Sequence, residues 1–322
     1  LPNAARSVVF LDTVRRLRLA GVGEFRLAQS ARPLLRLLSR GKAEITSVTV
    51  VRGGHRWYAS LVCKVQQRVP SRPTARQRAA GLLAVDLGSQ PLAVLSAPLD
   101  SADPASAVIP SMKPWHADRD RLTRAQRKLS RTRRGSKRRR KAARQVGRIH
   151  HLIAERRASY LHGVSKRLAA GAQYIAIEDL DLVGLTASAK GTLETPGTNV
   201  KVKARFNRHL LDSGLGELRR QLAYKTLWYG SSLVVLERGE PTASKCSKCG
   251  KRNPSSKPSD QRFTCLHCGH DVSRRENSVR SIYQAARRQL TTSVAPGTEE
   301  TQNALRDGNQ PPAGNGGGGP RH

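Results

Sequence analysis

Aromatic residues are scarce in this chain of 322 residues: phenylalanine, tryptophan and tyrosine together make up 4% of it, and there is one methionine. Apolar residues reach 38%, below the average globular chain. Over this length that still suffices for a sizeable core and for two or three domains. Acids are scarce too, with 23 Asp and Glu against 58 Lys and Arg, a formal charge of +35. A folded chain with that excess repels itself unless it meets a polyanion. Nucleic acid is the leading expectation, and an anionic membrane surface is the alternative. No apolar run approaches the ~20 residues that span a bilayer. Residues 1–10 lack the charged start and long apolar core of a secretory leader. The chain opens on Leu1 rather than Met, so its true N-terminus is expected to be missing. Five cysteines are too few for a disulfide scaffold at this length. Four of them cluster, which points to metal in a reducing cytoplasm.

What is present is organised around Leu82–Ser96. A short apolar run holds one acid, Asp86, then bends at Gly88 and returns as a second apolar run. An acid inside a central strand is costly to bury unless something neutralises it, and a divalent metal is the usual partner. The plainer alternative places Asp86 at a strand end, facing water. Ahead of this stretch, residues 1–70 read as mostly β. Ile45–Val51 and Trp57–Val65 form a hairpin around Arg52–His55, and a shorter hairpin turns around Gly21–Gly23. Residues 71–80 read as a linker. Behind it, Gln173–Asp181 is another β-branched strand that ends in acid. Gly184–Asn199 reads as a loop, Phe206–Tyr229 as one long helix, Leu233–Glu237 as a strand and 276–290 as a helix. The tail from residue 293 should be disordered.

Residues 119–148 carry fifteen Lys or Arg and one acid. Unneutralised charge at that density would unravel a helix, so more than a solvated face is expected. The spacing predicts a helical hairpin over 117–169 whose tip clamps phosphates through Arg131, Arg133, Arg134, Lys137, Arg138, Arg139, Arg140 and Lys141. Cys246, Cys249, Cys265 and Cys268 form two Cys-x-x-Cys knuckles fifteen residues apart, the spacing of a structural four-thiolate Zn2+ site. A pair of redox dithiols is the weaker alternative. Lys245, Lys248, Lys251 and Arg252 make this ribbon basic.

Together, Ala84-Val-Asp-Leu-Gly88, Ile177-Glu-Asp-Leu180, Phe206-Asn-Arg, Tyr224-Lys and Trp228-Tyr-Gly230, with the ribbon and Asn277, resemble the TnpB (OrfB) family. These are insertion-sequence proteins related to type V CRISPR effectors, and the resemblance covers roughly residues 15–290. It implies an α/β fold: an RNase H-like (RuvC-like) catalytic domain over 81–240 with a zinc ribbon inserted at 241–272. It further implies a closing helix at 273–292 and a truncated β-barrel-like domain at 1–70. A guide RNA and target DNA are the implied partners, in the bacterial cytoplasm at the nucleoid. Three acids holding catalytic Mg2+ are the implied chemistry. Asp86 and Glu178 match the first two. Arg275 stands where the third should be. Glu276 is one residue along and turned by about 100° on a helix, and Asp271 lies four residues earlier. Two functions therefore compete: an RNA-guided DNA endonuclease, and a nuclease-inactive RNA-guided DNA binder or decayed gene product. A plain zinc-ribbon DNA-binding factor would not need Asp86 and Glu178 on strands.

Overall fold

The computed structural model describes residues 8–10, 14–19, 22–53, 56–66, 69–254 and 260–293. The features read at Gly21, at the 54–55 turn and in the tail beyond Ser293 lie outside them. The N-terminal strands fall into two sheets. β1 (Val8–Phe10), β2 (Arg16–Leu19) and β3 (Gly23–Arg26) form an antiparallel sheet. A helix that the sequence reading missed, α1 (Arg32–Ser39), follows. β4 (Ala43–Arg52) and β5 (Trp57–Val65) then pair as the expected hairpin. Among the described residues no strand joins the two sheets.

The stretch read as a linker is folded. α2 (Ala75–Ala80) begins on a capping box between Thr74 and Gln77. Gln77 is 1% exposed, and its Nε2 donates to the carbonyls of Ala169 and Tyr229, both at 3.0 Å. Those carbonyls belong to the last turns of two later helices, where backbone acceptors lack partners of their own. One amide side chain therefore docks the segment onto the domain that follows.

That domain is mixed α/β. β6 (Leu82–Leu87), β7 (Ala93–Leu95) and β8 (Val108–Ile109) make an antiparallel meander. α3 (Pro114–Ser130) and α4 (Lys137–Gly171) follow as a helical hairpin. β9 (Tyr174–Ile177) returns parallel to β6. Then come α5 (Leu182–Thr186), α6 (Val200–Ser213) and α7 (Leu215–Tyr229), and β10 (Ser232–Val235) runs parallel to β9. The ribbon holds β11 (Arg262–Thr264) and β12 (Asp271–Ser273), and α8 (Arg274–Ser293) closes the domain. The sheet order is β10-β9-β6-β7-β8. No helix among the described residues is long and apolar enough to cross a membrane.

The single helix expected over Phe206–Tyr229 is two helices. Gly214, at φ 69°, ends α6 and starts α7. A Cβ there would lie 2.7 Å from Leu161 Cδ1, so the break sits hard against α4. The apolar spacing runs on across the break and hides it.

Period-two alternation divides the sheet between two layers. Leu83, Val85 and Leu87 of β6 and Ile175 and Ile177 of β9 pack under α4 and α7. Ala84 and Ala176 face the other way, toward Val279, Ile282 and Ala286 of α8. Alanines on both surfaces let α8 lie close to the sheet. Asp86 and Glu178, two residues further on, share that face.

Candidate functional site

Val85 of β6 stands opposite Ile177 of β9. Asp86 and Glu178 are next in that register, about one strand spacing (~4.8 Å) apart. Both lie at the carboxyl ends of parallel strands, where open α/β sheets bind ligands. Three acids follow β9 closely, and the alternation selects one. Asp179 turns away to accept from Arg219 and Arg238. Asp181 caps α5 by accepting from the Gly184 N–H at 3.0 Å. Glu178 alone of the three faces Asp86, and it accepts a hydrogen bond from the Thr242 hydroxyl.

The helical register of α8 aims Arg275 at the sheet, in line with Val279, Ile282 and Ala286. Its Nη1 donates to Asp86 Oδ2 at 2.6 Å, and its Nη2 donates to the Pro91 carbonyl at 3.0 Å. Gly88 supplies the space: a Cβ there would fall 1.7 Å from Nη2. The Asp86 side chain is 7% exposed and that of Arg275 is 29% exposed. Glu276 lies off this face and pairs with Arg280 at 2.5 Å. Asp271 is in the ribbon, paired with Arg262. Neither carboxylate reaches Asp86. The guanidinium seat was legible in part: Gly88 and Arg275 stood out in the sequence, whereas Pro91 and Thr242 carried no signal.

Burial pushes Asp86 above the usual carboxylate range, with the Arg275 charge and hydrogen bond opposing it. Burial, then the Asp86 charge, raises Glu178 to about 7, again against Arg275. This donor set does not fit Mg2+. One of its two carboxylates is already bound to a guanidinium. A cation ~4 Å from a unit charge at an effective dielectric near 20 feels about 4 kcal/mol, and twice that for a divalent ion. Millimolar binding is worth only about 4 kcal/mol.

The four cysteines converge. The Sγ atoms of Cys246 and Cys268, and those of Cys249 and Cys265, lie 3.7 Å apart, and all four are within 4.8 Å of one another. A tetrahedron with ~2.3 Å Zn–S bonds has edges of about 3.8 Å, so the set fits Zn2+. Each knuckle closes through a glycine with positive φ: Gly250 and Gly269 donate to Cys246 and Cys265 at 2.9 and 3.0 Å. Asn277, fully buried, fastens the first knuckle to α8. It accepts from the Ser247 N–H at 2.9 Å and donates to the Lys245 carbonyl at 2.8 Å.

The basic hairpin is formed by α3 and α4 around Leu122, Ile149 and Ile153. Asp212 accepts from the Trp115 and His116 N–H groups and from Arg157, which sets the angle of α3. Arg131, Arg133, Arg134, Lys137, Arg138, Arg140 and Lys141 are exposed at its tip. Arg139 differs, because its Nη1 donates to the carbonyls of Leu129 and Thr132 and so caps the end of α3. Of the remaining cations, Lys137, Arg138 and Arg140 lie in the first turn of α4, which holds no acid. Positive charge at a helix N-terminus opposes the macrodipole, so these cations cost the helix stability unless an anion meets them.

Two family profiles match the chain: OrfB_IS605, described as "Probable transposase", over residues 60–189, and "Cas12f1-like, TNB domain" over residues 216–282. "Putative RNA-guided DNA endonuclease InsQ" of Escherichia coli K12 is 32% identical over 241 residues, 75% of this chain and 56% of InsQ. A "Putative RNA-guided DNA endonuclease" of Streptomyces pristinaespiralis is 35% identical over 268 residues, 82% of this chain and 59% of that protein. The chain thus spans little more than half the length of these relatives. A cryo-EM structure of a Cas12f1–sgRNA–target DNA complex aligns with TM-score 0.46 and 14% identity, over 80% of this chain and 48% of that one. The two profiles and the relatives agree with the acid, ribbon and helix motifs along the chain in their likeness to the OrfB (TnpB) family of insertion-sequence proteins.

Proposed function

We propose that this chain is an RNA-guided DNA-binding protein of the transposon-encoded endonuclease type. The observation that carries the reading is the placement of Asp86 and Glu178 on one sheet face under α8, in a family with relatives named as RNA-guided DNA endonucleases. Guide RNA and target DNA are the proposed partners, and the exposed cations at the hairpin tip are their phosphate contacts. The sheet order supports an RNase H-like (RuvC-like) domain over 81–240: an antiparallel meander, β6–β8, extended by two strands parallel to its first. Residues 241–272 are its zinc ribbon, 273–292 its last helix and 1–70 a separate β module. Its proposed place is the bacterial cytoplasm, at the nucleoid.

A second reading, binding without cutting, is favoured by one contact. Arg275 occupies the side of Asp86 that faces α8, where the family pattern implies a third acid. The test is a paired binding and cleavage assay with the guide encoded beside the gene. Guide-dependent binding with no Mg2+-dependent product supports the second reading. Cleavage abolished by Asp86→Ala overturns it and leaves the first intact. Absence of guide-dependent binding overturns both.

A further inference from the structure

We infer that Thr242 is a positioning residue for Glu178 and that the four-cysteine ribbon holds it in place, so that zinc loading is read at the acid pair. The inference rests on the acid pair of the reading above and concerns its regulation; it makes no use of nucleic-acid binding. The chain touches the acids just before and just after the ribbon. Thr242, four residues ahead of Cys246, donates its hydroxyl to Glu178 Oε1. Arg275, seven residues past Cys268, donates to Asp86 Oδ2. The two knuckles therefore set the separation of the two side chains that meet the two acids. Thr242 is 2% exposed, so little water competes for its hydroxyl.

Thr242 is carried on a turn over 241–245, closed by the Lys245 N–H donating to the Pro241 carbonyl at 2.9 Å. Both knuckles brace that turn. The Lys245 carbonyl, next to Cys246, accepts from Asn277 at 2.8 Å and from Ser281 at 3.2 Å. The Ser244 carbonyl accepts from the Asn253 N–H at 2.7 Å, and Asn253 Nδ2 donates to the carbonyl of Thr264, next to Cys265, at 2.8 Å. Ahead of the turn the contacts are ion pairs of exposed arginines, Arg238 with Asp179 and Arg288 with Glu240. Such pairs hold little, so opening the ribbon frees Thr242. A hydroxyl that donates to a carboxylate favours its ionised form. Burial and the Asp86 charge on β6 act on Glu178 in the opposite sense, and Arg275 of α8 acts with the hydroxyl. Losing the Thr242 bond should therefore move Glu178 toward its protonated, uncharged form.

The test follows the Glu178 carboxyl by carbon-13 NMR in the zinc-loaded full chain, made with carboxyl-labelled glutamate. The Glu178 signal is the one missing from Glu178→Gln. A hydrogen bond to a charged group is strong enough to move a titration midpoint by about one pH unit or more. Thr242→Val should raise the Glu178 midpoint by that amount, and Thr242→Ser should restore it. Removing zinc with a chelator should raise the midpoint of the unmodified chain equally and add nothing in Thr242→Val. Asn277→Ala keeps the four cysteines but loosens the first knuckle from α8, and it should give part of the shift even if chelation unfolds more than 241–272. An unchanged midpoint in Thr242→Val overturns the positioning role. A shift in Thr242→Val with none on chelation and none in Asn277→Ala shows that Thr242 is held without the ribbon, and overturns the coupling. A chain that takes up no zinc overturns it as well. None of these outcomes bears on guide-dependent binding, which stands or falls by the paired assay above.

Discussion

Asp86 and Arg275 form a largely desolvated pair, so deleting one partner leaves the other charge uncompensated. Asp86→Ala and Arg275→Ala should each destabilise by about 2–4 kcal/mol, since breaking such pairs is costly even where the pair itself adds little. The double variant should lose less than the sum, with a coupling of ~1–3 kcal/mol in urea denaturation. Simple additivity would mean that the pair is incidental. Glu178 has the opposite character. Its folded pKa, about 7, lies above the ordinary value of 4.5, so between those values the folded state binds more protons than the unfolded one. Stability should therefore fall as pH rises from about 4.5 to 7 and level off above. Glu178→Gln should flatten that slope, matching the unmodified chain near pH 5 and exceeding it at pH 8 by up to about 3 kcal/mol. An unchanged slope would locate the titration elsewhere. These residues were legible in the sequence to different degrees. The family resemblance placed Arg275 at the site, and helical geometry turned Glu276 away from it. The Thr242 bond to Glu178 joins residues 64 apart, a pairing that only the folded chain brings about.

At the scale of elements, the four converging thiols of the ribbon are compatible with a zinc ion. One zinc per chain should be found by metal analysis. Cys246→Ser with Cys265→Ser should lower the melting temperature and expose 241–272 to protease; full stability in that variant would refute a structural zinc. The ribbon was legible because its ligands are local in sequence and the chemistry fixes their spacing. Other elements were less so. The leucine spacing is the same on both sides of Gly214, so periodicity showed one helix where a left-handed glycine makes two. Residues 71–80 have a linker's composition, yet Gln77 anchors them through acceptors 92 and 152 residues away. The hairpin was read correctly as two helices, but the roles at its tip were not uniform. Arg139 serves the fold. Neutralising Arg134, Arg138, Arg140 and Lys141 while keeping Arg139 should flatten log affinity against log salt for duplex DNA by about 2–3. An unchanged slope would show that the tip does not touch phosphate.

Over the whole molecule, a +35 charge, a sheet presenting two acids and a ribbon of four converging cysteines surround an acid pair whose first member is held by a guanidinium of the same chain. The order of short motifs pointed to the family. Arg275 at the third-acid position was legible in the sequence, whereas the open space over Gly88 that seats its guanidinium on Asp86 is shown only by the assembled fold. The most direct test is Mn2+ binding to the zinc-loaded chain, followed by electron paramagnetic resonance, with the unmodified protein beside Arg275→Asp and Asp86→Ala. A guanidinium-closed site predicts no Mn2+ bound at submillimolar concentration by the unmodified chain, and one ion gained in Arg275→Asp. Tight Mn2+ binding by the unmodified chain, lost in Asp86→Ala, would contradict it.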